Sequence, residues 1–229
     1  MALSPARAHQ QRMRAAQAAA HTPHGEPLPD VGIVEQLQMQ LANDRARLKH
    51  IQSTEGKVAL KRELIAAYQP YIDGVLDAGQ GAEDPILAEM LIWHLDTADW
   101  ARALQIGQYL LHWGIKLPDR FARSTGCLIA EEIAEAALTA QRLGEAFPLQ
   151  ALEQAATLTA ESDMPDEVRA KLLLATARTR LADTQASPES LEAAIASLKR
   201  AIGLHPACGG KKDLEKAERL LKKHAAQGS

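Results

Sequence analysis

The chain has few cysteines and few aromatic residues, and each shortage excludes some classes of protein. Its 229 residues include two cysteines and 3% aromatic residues. Cys127 and Cys208 show no CxxC spacing, which argues against a disulfide framework and fits a reducing compartment. β-Branched residues are also sparse while alanine is abundant, and this balance favours helix over sheet. We therefore predict an all-α protein.

Long apolar runs are missing as well. No run of about 18 apolar residues occurs, so no membrane span is predicted. Basic residues near the N-terminus are not followed by a continuous apolar segment, so no signal peptide is predicted. A composition of 46% hydrophobic and 24% charged residues is ordinary for a folded globular protein. We expect a folded cytoplasmic protein with no membrane partner.

Motifs for nucleotides and metals are incomplete. The run GGKK at 209–212 resembles part of a phosphate-binding loop, but His205 replaces the first glycine of that loop and a lysine replaces its final Ser or Thr. His21 and His24 lie beside prolines, which is typical of solvated linker histidines. No second pair joins His205 and Cys208 to complete a tetrahedral metal site. We predict no ATP site, no metal and no cofactor.

Acidic residues that could hold a metal for phosphodiester cleavage form two clusters, Asp96 with Asp99, and Asp163 with Asp166 and Glu167. Each cluster lies at the predicted start of a helix, where acids act as caps and complement the helix dipole. His94 and His112 fall within an apolar helical pattern and are interpreted as packed or hydrogen-bonded groups. We predict no catalytic residue, and an intrinsic metal-dependent nuclease stays as an alternative function.

The strongest helical pattern begins at Asp84 and continues on both sides of a short break at 96–99. Asp84 precedes Pro85 as a helix N-cap precedes a first-turn proline, Asp99 can cap the second helix, and Gly114 can end it. All three tryptophans lie in this stretch. The pattern predicts a helical hairpin at the centre of the fold.

Basic residues concentrate in the N-terminal quarter, although the formal net charge is −3. Two helices are predicted, from Val31 to about Thr54 and from Lys57 to about Ala67, with Gly56 between them, in the outline of a helix-turn-helix. Between residues 63 and 101 the chain has acidic residues but no Lys or Arg, and the next basic residue is Arg102. We therefore expect one face that attracts phosphate and another that repels it. The predicted DNA-binding residues are Arg12, Arg14, Arg45, Arg47, Lys49, Lys57, Lys61 and Arg62.

A short heptad spacing marks the first of these two helices. Its apolar residues are Val34, Leu37, Leu41, Leu48 and Ile51. Such a seam could pair with a neighbouring subunit, and these residues are our candidates for oligomerisation. Packing on the chain's own core explains the same spacing equally well.

Four regions are predicted along the chain. They are a mobile basic arm at 1–30 with a short helix near 7–20, a DNA-binding and oligomerisation region at 31–80, a central helical core at 81–161, and a helical hairpin with a basic last helix at 162–229. In the last region, small and apolar positions match one tetratricopeptide repeat at Leu181, Ala182, Ala194, Leu198 and Ala201. A helical scaffold that binds only protein is therefore the competing function.

Three stretches resemble one protein family. WHLDTADWARALQIGQYLLHWGIKLP in the central hairpin and SDMPDEVRAKL at 162–172 are similar to the small terminase subunit of temperate tailed phages of the peduovirus type, and SPARAH at 4–9 resembles its N-terminus. The resemblance implies a protein that recognises double-stranded viral DNA for packaging in the bacterial cytoplasm. It also implies a ring-like homo-oligomer and a large terminase subunit as partner, which carries the ATPase and nuclease. We take the endonuclease label often given to the family to describe the holoenzyme.

Overall fold

The chain divides into two compact units, Met1–Thr125 and Gly126–Ser229. The computed structural model describes residues 4–29, 32–118, 123–183 and 185–227. Over these residues the regular structure is α-helical, as predicted, apart from one isolated parallel bridge between Pro27 and Glu83. The boundary after Thr125 falls inside the stretch 81–161, which the sequence predicted as a single core.

The described part of each unit contains five helices. Those of the first unit are α1 (Pro5–Ala20), α2 (Ile33–Lys49), α3 (Thr54–Ala78), α4 (Pro85–Asp96) and α5 (Trp100–His112). Those of the second are α6 (Thr125–Leu143), α7 (Leu149–Leu158), α8 (Asp166–Ala182), α9 (Pro188–Leu204) and α10 (Lys211–Gln227).

The predicted central hairpin is confirmed as α4 and α5. Asp84 Oδ1 accepts a hydrogen bond from Ile86 N at 2.8 Å, and burial raises the pKa of this carboxyl group to about 6. Asp99 Oδ1 accepts from Arg102 N at 3.4 Å, so both helices have the predicted caps. Gly114, with φ of 64°, follows the end of α5 in the left-handed conformation that glycine allows. Local signals therefore define both helices.

Helix α3 is longer than the sequence predicted. Ser53, rather than Gly56, marks its start, because the Ser53 hydroxyl accepts from Gly56 N at 3.2 Å. The helix also continues through Pro70, beyond the end that the sequence predicted near Ala67. A proline removes the helical donor for the carbonyl four residues earlier and displaces the turn before it. The neighbouring carbonyl of Ala67 accepts from Gln11 Nε2 of α1 at 3.1 Å, which supports the backbone at this point.

Helix α1 packs along α3, whereas the sequence predicted a mobile arm for this region. Ala15 and Ala19 are fully buried and have side chains small enough for close helix packing. Opposite them lies Gly74, where an added Cβ would come within 2.9 Å of Ala15 Cβ and closer still to the carbonyl oxygen of Arg12. The missing side chain of Gly74 therefore allows the two helices to touch.

The segment after α1 lies beside the loop that precedes α4. Leu28 N donates to Glu83 O at 3.1 Å, and Glu83 N donates to Glu26 O at 2.9 Å. His24 Nε2 donates to Trp113 O at 2.8 Å, so this exposed histidine is held against the end of α5 instead of being free in a linker. These bonds fix the chain between α1 and the central hairpin.

In the second unit, α8, α9 and α10 share one apolar cluster. Its buried members are Leu174, Ala177, Leu181, Ala186, Leu191, Ala194, Leu198 and Ala217. Helix α6 joins this group through Gln141 Nε2, which donates to Ala175 O at 2.8 Å. Of the positions matched to a tetratricopeptide repeat, Ala182 is exposed and the other four are buried.

Candidate DNA-binding surface

Arg45, a predicted DNA-binding residue, is held by a buried carboxylate on α4. Its Nε and Nη2 atoms donate to Glu89 Oε2 at 3.0 and 2.5 Å. The other Glu89 oxygen accepts from Trp93 Nε1 at 3.0 Å. The sequence contains one indication of this pair. Glu89 lies within an apolar helical pattern, and a buried charge requires an ionic or hydrogen-bonding partner.

Arg47 is similarly paired on its own helix. Its Nη1 atom lies 2.9 Å from Asp44 Oδ1, and the buried Asp44 also accepts from the Tyr68 hydroxyl at 2.8 Å. The Tyr68 ring meets Trp93 edge to face, with 5.8 Å between ring centroids. Polar contacts and aromatic packing thus join α2, α3 and α4, and Arg45 and Arg47 close this network at the surface.

Lys61 and Arg62 connect α3 to the end of α4. Lys61 forms an ion pair with Asp96, the last residue of α4. Arg62 Nη2 donates to Thr97 O at 3.3 Å, and carbonyls at a helix C-terminus lack partners within their own helix. Both cations therefore have a structural role at this helix end.

Two further acids of the predicted acidic stretch are neutralised by arginines. Asp77 accepts from Arg12 at 2.6 and 2.9 Å, and Asp73 forms an ion pair with Arg102 of α5. The fold thus mixes basic and acidic segments that the sequence keeps apart. The expectation of one face that attracts phosphate and another that repels it does not hold for Asp73, Asp77, Glu89 and Asp96, because these four acids face cations from α1, α2, α3 and α5.

Apart from Arg62, which donates to the Thr97 carbonyl, three predicted DNA-binding residues have no ion pair with a described carboxylate. Arg14 and Lys49 are exposed and Lys57 is partly exposed, and none of the three has an ion pair with a described residue. An ion-paired cation offers little net charge to a phosphate, so these three are the best candidates in the first unit.

The apolar residues of the predicted oligomer seam lie in the core of the single chain. Val34, Leu37, Leu41 and Leu48 are buried, and Ile51 is partly buried. Packing on the chain's own core, the second of the two interpretations, accounts for their positions. A subunit contact through these leucines would require the first unit to open.

Three acids of the two clusters that were considered as metal ligands, Asp96, Asp99 and Glu167, have structural contacts. Asp96 is paired with Lys61, and Asp99 combines its cap with a 3.0 Å contact between Oδ2 and His94 Nδ1. Burial lowers the pKa of His94, which favours the neutral ring. Glu167 lies 3.3 Å from Lys171 within α8. In the described part of the chain, no group of three or more His, Cys, Asp or Glu side chains could hold a metal ion.

The glycine-rich run at 209–212 lies in the turn between α9 and α10. Cys208 N donates to His205 O at 2.9 Å, which closes the turn. Gly209 has φ of 86°, and an added Cβ on Gly210 would come within 3.2 Å of Leu174 and Leu198. These contacts give the run a structural role as an interhelix turn.

Sequence comparison places this chain in a known family. The pattern that defines the family of phage small terminase subunits matches residues 38–167. This stretch is more than half of the chain and contains the central hairpin. The chain therefore belongs to the phage small terminase subunit family, which has a role in the packaging of phage DNA, and the resemblance of its sequence motifs is confirmed.

One relative extends this similarity over almost the whole length. The protein named "Terminase, endonuclease subunit" of Escherichia phage P2 is 40% identical over 219 residues, which is 96% of this chain and 86% of the relative. No solved structure matches the chain. The likeness of the α8–α9 hairpin to a tetratricopeptide repeat thus stays a prediction from sequence.

A search of the helices for membrane segments gave a negative result. None of the helices in the described ranges is both long enough and apolar enough to cross a bilayer.

Proposed function

We propose that this chain is the terminase subunit that recognises double-stranded viral DNA for packaging. It assembles into a ring-like homo-oligomer in the cytoplasm of the bacterial host and delivers DNA to the large terminase subunit. That partner carries the ATPase and the nuclease. Family membership is the observation that carries the proposal, and the relative from phage P2 supports it over nearly the full chain.

The proposal is tested with three purified components, namely this chain, the large subunit of the same phage and viral duplex DNA. We expect the chain to bind the duplex alone and to increase the amount of DNA that the large subunit retains in a pull-down. Failure of the chain to bind the duplex at low salt, together with failure to bind the large subunit, would reject the proposal.

In the first unit, the DNA contact is assigned to Arg14, Lys49 and Lys57. Replacing all three with alanine should flatten the dependence of log K on log salt by up to about 2.7, because each lost phosphate contact removes about 0.9 from the slope. Fluorescence anisotropy with a labelled duplex at several salt concentrations measures this slope. The control replaces three exposed neutral residues of the same unit, Gln10, Asn43 and Gln52, with alanine. An unchanged slope in the charge variant would remove the first unit from the DNA contact.

Ring assembly would multiply weak contacts from single subunits into firm binding. Native mass spectrometry of the purified chain gives the number of subunits directly. We expect a closed homo-oligomer whose contacts use residues other than the buried leucines of α2. A monomer at micromolar concentration, both with and without DNA, would contradict the ring.

The printed name of the phage P2 relative makes a nuclease the second candidate function. Asp99 is the most informative residue to replace, because it is exposed and lies three residues after Asp96 in the same acidic cluster. Replacing Asp99 with alanine should lower the free energy of unfolding by about 1 kcal/mol through the lost cap. It should leave plasmid cleavage by the reconstituted holoenzyme unchanged.

The matched control for Asp99 is Ser187→Ala, which removes the cap of α9 in the second unit. Denaturation and cleavage assays should give similar results for the two variants. A folded Asp99 variant that assembles normally but no longer supports cleavage, while the Ser187 variant does, would assign Asp99 to catalysis.

A further inference from the structure

Helix α10 carries a row of cations along the side that faces solvent. Lys212, Lys216, Arg219 and Lys223 are all exposed, and their spacing of four, three and four residues places them within about 60° of the helix circumference. On the opposite side, Ala217 is buried and Leu214 and Leu221 pack against the cluster shared with α8 and α9. We call these four cations the α10 basic row.

Two of the three acids of α10 are directed away from this row, and the third, Glu215, is exposed at its flank, three residues after Lys212 and four before Arg219. Asp213 Oδ2 accepts from Arg178 Nε of α8 at 2.8 Å, and Glu218 lies 3.5 Å from Lys199 of α9. None of the four cations in the row has an ion pair with a described carboxylate. Arg219 Nε donates to the backbone oxygen of Glu215 at 3.3 Å, which leaves the rest of its guanidinium available.

Like charges three or four residues apart destabilise a helix. The row contains three such neighbouring pairs, and none of its cations is ion-paired with a described carboxylate, whereas four of the eight predicted cations of the first unit are ion-paired. Its length of about 16 Å follows from the eleven residue steps between Lys212 and Lys223 at the rise of an α-helix. Phosphates of one DNA strand repeat about every 3.4 Å along the axis, so the row spans about five of them.

We propose that the α10 basic row is the principal phosphate-binding surface of this chain for duplex DNA. The proposal rests on the proposed function, because DNA packaging supplies the polyanion. DNA fits this surface better than a protein partner does. Three of the four residues are lysines, which are depleted in protein interfaces, and the row contains no aromatic or apolar anchor.

The test replaces all four residues of the row with glutamine, which keeps their length and helix propensity. The control replaces four exposed or partly exposed cations of the first unit with glutamine, namely Arg14, Lys49, Lys57 and Lys116. Both full-length variants are compared with the parent chain by anisotropy on a short fluorescein-labelled duplex across a salt series. Circular dichroism and native mass spectrometry check that helicity and subunit number are unchanged.

We expect the row variant to bind at least roughly tenfold more weakly at low salt, and its salt slope to fall by about 3.6, or 0.9 for each lost contact. The control variant should lose a smaller part of the slope. An equal or larger loss in the control would overturn the assignment to α10 while leaving DNA recognition in place. No binding of the duplex by the parent chain would overturn the row as a DNA surface and, together with failure to bind the large subunit, would reject the proposed function.

A protein partner for the row is a distinct outcome of the same experiment. If the row variant binds the duplex like the parent chain but no longer retains the purified large terminase subunit in a pull-down, the row binds protein and the proposal is wrong. Retention of the large subunit together with weakened DNA binding supports the proposal.

Discussion

Replacing Leu41 with aspartate is expected to unfold the first unit. Leu41 is 3% exposed, and the loss of its buried apolar surface removes about 2 kcal/mol. The new carboxylate would be buried one helical turn from Asp44, which is already buried and negative. An unpaired buried charge costs about 3–5 kcal/mol, and domains are stable by only about 5–15 kcal/mol. The variant should therefore lose most of the stability of this unit.

Tryptophan fluorescence measures this loss selectively, because Trp93, Trp100 and Trp113 all lie in the first unit. The control is Met39→Asp on the same helix. Met39 is 59% exposed, so its replacement should change the free energy of unfolding by no more than about 0.5 kcal/mol. Denaturant titrations of both variants give the comparison.

The same pair of variants separates the two interpretations of the α2 spacing. A Leu41 variant that keeps the stability of the parent chain but forms a smaller oligomer in native mass spectrometry would place this leucine in a subunit contact. Loss of the folded first unit agrees with the burial seen in the single chain.

The elements that could be predicted from the sequence are those specified by neighbouring residues. Asp84 with Pro85 at one helix start and Asp99 at the next are signals within a few residues of the helix they define. Ser187 before α9 is a local signal of the same kind, and its hydroxyl accepts from Ser190 N at 3.3 Å. Local hydrogen bonds determine where these helices begin, so the sequence pattern is sufficient to predict their starts.

The charge distribution could not be predicted because it depends on residues far apart in the chain. Arg45 and Glu89 are 44 residues apart, and Lys61 and Asp96 are 35 apart. A basic segment followed by an acidic segment can form two opposed faces or a mixed surface, and only the packing of α2 and α3 on α4 decides between them. For the same reason, the candidate site changed from the whole N-terminal cluster to its few unpaired members and to the α10 basic row.

The packing of helix α1 against α3 could not be predicted for a related reason. Its sequence has many alanines and no wide apolar stripe, so its own pattern gives little indication of burial. The burial of α1 is indicated instead by its partner helix α3, where Gly74 leaves room for the α1 backbone. A glycine within a helical pattern lowers confidence in the helix when it is considered alone. Here the glycine marks a helix crossing.

Replacing Gly74 with alanine is therefore expected to displace α1. The added methyl group would approach the backbone of Arg12 and Ala16 of α1, where no side chain can rotate away. Overpacking of this kind costs about 1–3 kcal/mol. The control is Gly203→Ala in α9, where an added Cβ meets nothing within 4 Å. The same substitution should there raise stability by up to about 1 kcal/mol, because alanine is the better helix former.

Hydrogen exchange measured by mass spectrometry shows which contact is lost. In the Gly74 variant, the backbone amides of α1 should exchange faster, while those of α4 and α5 keep their protection because their caps and core are untouched. Thermal unfolding of both glycine variants gives the opposite signs of the stability change. A Gly74 variant as stable as the parent chain, with α1 still protected, would show that α1 and α3 can separate slightly without losing their contact. Gly74 would then not be the residue that holds α1 against α3.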